Sequence, residues 1–130
     1  MNSDQALVLW RSSWSSGISC VYALYQNKLY WAPIPALVLL TSLNYWKNPR
    51  NGSWEQRLDI SCVGIALIHH LTVAYYTKMY IPYYMLISIA SSCFPISYYY
   101  YFKNDMWTST YYHCALHVIA NIANLVLYST

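Results

Sequence analysis

The sequence predicts an all-α integral membrane helical bundle of five transmembrane helices, or four with an interfacial first one. Two observations carry this reading. Only 8% of the 130 residues are Asp, Glu, Lys or Arg, against roughly 25% in a soluble domain. A water-exposed surface of this composition is mostly apolar and needs lipid around it. The 16 Tyr and 6 Trp agree, because amphipathic rings suit the boundary between headgroups and acyl chains. A chain of this length makes one domain.

A bilayer-spanning helix needs about 20 mostly apolar residues, and five segments approach that. The first, residues 6–25, holds Arg11, Ser12, Ser13, Ser15, Ser16 and Ser19. Hydroxyls bond back to their own helix or to neighbours, so this segment either spans or lies in the interface. The second covers about 30–46, with Pro33 and Pro35 near its start, where a missing N–H costs least. The third covers about 58–76 and the fourth about 79–101, with Pro95 expected to kink it. The fifth covers 106–128. The longest connection is expected over Lys47 to Arg57, where Asn48-Pro49 and Asn51-Gly52 signal turns. The remaining connections are short, so successive helices run antiparallel. No internal repeat is visible.

With five spans, Arg11, Lys47, Arg50, Arg57 and Lys103 share one side, and Lys28 and Lys78 the other. The excess of positive charge places the N-terminus in the cytosol. The acceptor triplet Asn51-Gly52-Ser53 then lies in the cytosol, out of reach of glycosylation. Tyr98 to Tyr101 with Tyr111 and Tyr112 form one aromatic belt, and Tyr75, Tyr76, Tyr80, Tyr83 and Tyr84 the other. No cleavable signal peptide is expected, because Arg11 and the serines interrupt the first apolar stretch. The net charge of +3 is scattered and forms no basic stripe, which argues against nucleic acid. Cys20, Cys62, Cys93 and Cys114 sit within apolar stretches without a C-x-x-C, and read first as buried thiols. A disulfide or thiolate metal site is the minor alternative.

Ionisable residues at membrane depth are costly, so each asks for a reason. His113 and His117 lie one turn apart on one face of the fifth helix, and Asn121 and Asn124 continue the stripe. Two imidazoles in that register can chelate one metal ion; hydrogen-bonded helix packing is the plainer alternative. Asp59 opens the third helix and His69-His70 lies near its middle. His70 returns to the Asp59 face about 16 Å further along. Asp59 is read either as a helix-start residue paired with Arg57 or the helix dipole, or as part of a site. The third and fifth helices are parallel, so His70, His113 and His117 are candidates to converge as metal ligands. Ser42 lies near the end of the second helix, on the same side as Asp59. No nucleophile elbow or phosphate loop is present.

The order Ser42, Asp59, His113-x-x-x-His117 resembles the alkaline ceramidase family, within a superfamily of membrane hydrolases that includes the adiponectin receptors. The stretch from Tyr112 to Asn121 looks like that family's last-helix signature. The resemblance implies a zinc ion held by three histidines, with bound water cleaving a lipid amide or ester. It implies Asp59 as general base or water orienter and Ser42 as a partner of the developing oxyanion. The chain departs from the pattern where the family has a Ser-x-x-x-His: the residue four after Ser42 is Trp46. The family also has seven helices. His70 is the substitute ligand left.

Three functions follow as expectations. One is a divergent zinc-dependent lipid hydrolase with His113, His117 and His70 on the metal and Asp59 and Ser42 in catalysis. Another is a non-catalytic membrane subunit or scaffold packed against a larger membrane protein, using the close-approach pairs Ser12-x-x-x-Ser16 and Ser13-x-x-x-Gly17. The third, haem binding or transport, draws on histidines on two helices but lacks the repeats or broken helices of a transporter.

Overall fold

The computed structural model describes residues 2–130, and every regular element among them is helical. Six helices follow one another: α1 (Ser3–Ser13), α2 (Ser15–Tyr25), α3 (Pro33–Trp46), α4 (Trp54–Ala74), α5 (Tyr80–Phe102) and α6 (Met106–Tyr128). The first expected segment is therefore two helices that meet at Trp14. The serines explain the break. Ser12 and Ser13 donate to the Leu9 carbonyl, and Ser15 donates to the Ser12 carbonyl. Such back-bonding competes with the helical ladder. The ladder tightens there to three-residue bonds, Trp14 N–H to Arg11 and Gly17 N–H to Trp14.

The third expected segment starts earlier than its apolar stretch suggests. Ser53 caps α4 by accepting from the Gln56 N–H at 3.2 Å, so Trp54 to Arg57 form the first turn instead of a loop. Asp59 thus lies in the second turn, past the reach of the helix dipole. Two other helix ends use asparagine in the left-handed region, Asn27 (φ 57°) after α2 and Asn104 (φ 62°) after α5. In each case the next N–H closes a six-residue loop, Lys28 to the Ala23 carbonyl and Asp105 to that of Tyr100. Gly52 supplies the positive φ of 76° that the Asn51-Gly52 turn requires. Pro33 stands in the first turn of α3, and Pro95 lies within an unbroken α5.

The near end of the bundle carries the connections 47–53 and 103–105; the far end carries 26–32, 75–79 and the C-terminus. α5 and α6 form the most extensive pair, α1 and α2 pack on α6, and α3 joins α2 to α4. Small residues make the pairing close: Ala23, Ala74, Ala90 and Ala123 are fully buried. A Cβ on Gly17 stands 3.3 Å from the Leu39 side chain, so this glycine lets α2 approach α3. Near the start of α6, Ser97 and Ser109 donate to each other's carbonyls at 2.8 Å. α4 meets α5 and α6 mainly toward the far end, where Tyr84 donates to the Leu71 carbonyl at 2.9 Å.

Large apolar side chains cover the outside of the helices. Ile18, Val21, Ile65, Ile68, Met85 and Ile89 are each more than half exposed. α4 is the one helix among the described residues both long and apolar enough to cross a membrane, and only 11% of its apolar window is buried. Tyr75 and Tyr76 are exposed, as a belt requires, but Tyr83 is wholly buried because it faces the bundle interior. All four cysteines are free thiols.

Candidate functional site

The helices surround a cavity of about 730 Å³. Its walls come from α3 to α6, with Ser13 and Ser16 contributed by the broken first segment. α4 and α5 touch each other near Tyr84 and Leu71, and both helices line the cavity. The lining is mostly apolar, yet Ser42, Asp59, His70, His113 and His117 all reach it. The residues singled out in the sequence thus share one interior space, but in three separate groups.

The first group is a buried carboxylate. Asp59 Oδ1 accepts from the Ser42 hydroxyl at 2.6 Å; the Thr41 hydroxyl stands 3.2 Å away and shares its one proton between Asp59 and the Leu37 and Val38 carbonyls at 3.0 and 3.1 Å. The penultimate turn of α3 presents both hydroxyls to α4, and Thr41 and Ser42 are both buried there. Asp59 accepts no bond from Arg57 among the described residues, and Arg57 is exposed. Ser42 is therefore a fixed donor to Asp59, and Thr41 is a partner that sequence reasoning missed.

The second group is the α6 stripe. The rings of His113 and His117 stand edge to face with centroids 4.9 Å apart, as the one-turn spacing demands. Trp46 packs edge-on against His113 at 5.2 Å. Its Nε1 is buried without a hydrogen-bond partner. The Ser12 hydroxyl and His117 Nδ1 are 2.8 Å apart. Asn121 continues the stripe: it accepts from Ser19 at 2.6 Å and donates to Ser15 at 3.0 Å and to the His117 carbonyl at 2.7 Å. The serines that break the first segment thus bind it to α6.

The third group holds His70 at the far end. Nδ1 lies 2.7 Å from the Ala66 carbonyl, which only accepts, so Nδ1 carries the proton. Nε2 then accepts from the Tyr128 hydroxyl at 2.6 Å. Trp31 stands edge-on to both rings. With both nitrogens engaged, His70 does not join His113 and His117. His69 faces outward. Tyr128→Phe is expected to leave His70 Nε2 as a buried acceptor without a donor and to cost about 1–3 kcal/mol. Thermal unfolding in detergent measures this; no change in the midpoint means that Nε2 finds another donor.

Among the described residues, no three of His, Cys, Asp or Glu come together in a group able to hold a metal ion. The donor set does not fit a three-histidine zinc centre. His113 and His117 supply two ligands, the space beside them is filled by the Trp46 indole, which has no lone pair to offer a metal, and His70 is committed elsewhere. No family model, curated protein or solved structure matches the chain.

Proposed function

We propose that the chain is a multi-pass membrane protein whose interior cavity holds a lipid taken sideways from the bilayer, between α4 and α5. The cavity is the observation that carries this reading. Its volume, about 730 Å³, falls within the roughly 300–1,000 Å³ typical of small-ligand sites, and so does its mix of apolar wall with a few polar groups. The membrane setting is supported by the exposed apolar side chains of α2, α4 and α5. Large apolar side chains exposed along three helices mark a surface that meets lipid or another protein.

α5 and α6 each have 23 residues, about 35 Å at helical rise, enough for the ~30 Å hydrocarbon core. Tyrosines at the ends of α5 and the His/Asn stripe of α6 lower their mean hydropathy. α3 has 14 residues, and it reaches depth only as part of the bundle.

The test is lipid analysis of the protein purified in mild detergent. About one lipid per chain is expected to co-purify. Gly64 lines the cavity, and a Cβ there meets open space, so Gly64→Leu adds bulk to the cavity at little cost to packing. It is expected to reduce the bound lipid at least several-fold while the folded yield holds. Lipid-free wild-type protein sinks the reading and shifts the choice to the non-catalytic subunit, whose exposed apolar faces then await a protein partner.

A second reading is the metal-dependent hydrolysis that the family resemblance implies. What supports it is the shared cavity of Ser42, Asp59, His113 and His117. What it lacks is a third ligand. One zinc per purified chain, lost in His113→Ala/His117→Ala, is the result that favours it.

A further inference from the structure

Polar groups at both ends of this cavity have no hydrogen-bond partner among the described residues: the buried Tyr83 hydroxyl at the far end, and three that gather toward the near end. Trp46 is only 7% exposed, and its Nε1–H has no acceptor. Asp59 takes both of its hydrogen bonds on Oδ1, which leaves Oδ2 open. His113 touches the rings of Trp46, Phe94 and His117 but forms no side-chain hydrogen bond. All three residues line the cavity.

Their chemistry defines what fits. An indole N–H only donates, a carboxylate oxygen accepts, and a neutral imidazole does both. A hydroxyl-bearing head answers all three. A charged anionic head does not, because no Lys or Arg lines the cavity and Asp59 adds negative charge. Moving a phosphate or carboxylate into such surroundings without a counter-charge is strongly unfavourable. Beyond the head, Val38, Val63, Leu67 and Ile87 make an apolar channel toward Tyr83 at the far end. Tyr83 precedes Phe94, which stands at the level of His113, by eleven residues of α5, about 16 Å at helical rise. That is close to half of the ~30 Å hydrocarbon core, the depth of one leaflet.

On the lipid-holding reading above, we infer that the cavity selects a neutral single-chain lipid with a hydroxylated head, of the monoacylglycerol type. The head sits among Trp46, Asp59 and His113, and the chain runs toward Tyr83. Anionic phospholipids and fatty acids are rejected for want of a cation.

The test uses the full chain in nanodiscs with three probes of equal chain: 1-monooleoylglycerol, oleate and oleoyl-lysophosphatidate. The monoacylglycerol is expected to bind at least about tenfold tighter than either charged probe. Trp46→Phe keeps the ring bulk but removes the N–H, and is expected to weaken that binding roughly tenfold, the worth of one hydrogen bond. Tyr76→Phe, at an exposed ring outside the cavity, is expected to leave it unchanged. Equal binding of the charged probes overturns the inference, as does a loss that follows Tyr76→Phe instead of Trp46→Phe. The probe comparison on the unaltered chain decides even where a variant fails to fold. If none of the probes binds, the lipid-holding reading itself fails; if all bind alike, only the selectivity does.

Discussion

Replacing Thr41 by Val and Ser42 by Ala together is expected to destabilise the bundle by about 3–5 kcal/mol, the largest effect foreseen from removing side-chain atoms. Ser42 is the short donor to Asp59, and Thr41, whose one proton also reaches the Leu37 and Val38 carbonyls, is the only other hydroxyl within reach among the described residues. Hydrogen bonds to a charged group are worth about 1.5–3 kcal/mol each, and stripping the partners from a buried charge costs about 3–5 kcal/mol. The penalty belongs to the orphaned carboxylate, so it must shrink when the carboxylate goes too. Adding Asp59→Leu to the double variant is expected to recover most of the loss, because removing all partners together is far less costly than removing some. Chemical unfolding in mixed micelles measures both steps. A loss below about 1 kcal/mol for the double variant means that water in the cavity solvates Asp59. In that case the carboxylate is free to serve a ligand instead of the fold.

Much of the fold was legible because helix length and loop chemistry are local. Residues 106–128 form α6 as expected, and the Asn51-Gly52 turn lies where its dipeptide signals. The errors came from polar residues whose partners are distant in sequence or whose local bonding outweighs apolar pattern. Ser53-x-x-Gln56 is a helix-start signature, and it moves the start of α4 ahead of the apolar stretch. The serines around Trp14 read as one helix decorated with hydroxyls, but three of them bond to their own backbone and split it.

The sequence placed the site residues on inward faces but did not show how they group. Ser42, Asp59, His70, His113 and His117 all face one cavity. Helical phase put His70 on the Asp59 face of α4, but phase says nothing about what stands opposite. Tyr128 from α6 stands there and claims Nε2. Ser12 as the neighbour of His117 was likewise invisible, since the pair is 105 residues apart.

Trp46→His is expected to change the chain from one that retains no stoichiometric zinc to one that binds a single ion. Imidazoles sharing a tetrahedral zinc through bonds of about 2.0–2.1 Å have ring centres roughly 5 Å apart. The Trp46 and His113 rings are 5.2 Å apart, and the His113 and His117 rings 4.9 Å. Position 46 therefore presents a ring at ligand distance from His113, and an imidazole there completes the site by turning toward the ion that His113 and His117 share. Two histidines alone leave the ion weakly held; a third is expected to tighten it by on the order of a hundredfold or more, since metal affinity rises with each prepositioned ligand. Metal analysis gives the stoichiometry, and visible absorption of a cobalt(II) derivative reports whether the site is tetrahedral. Adding His113→Ala to Trp46→His must abolish both signals. A metal-free Trp46→His protein means that the backbone at the end of α3 cannot turn an imidazole toward the pair, and the correspondence with the ceramidase pattern then rests on sequence order alone. One zinc per chain in the unaltered protein is the opposite surprise. It requires Asp59 or water to complete the ligand set, and returns the metal-dependent reading to first place.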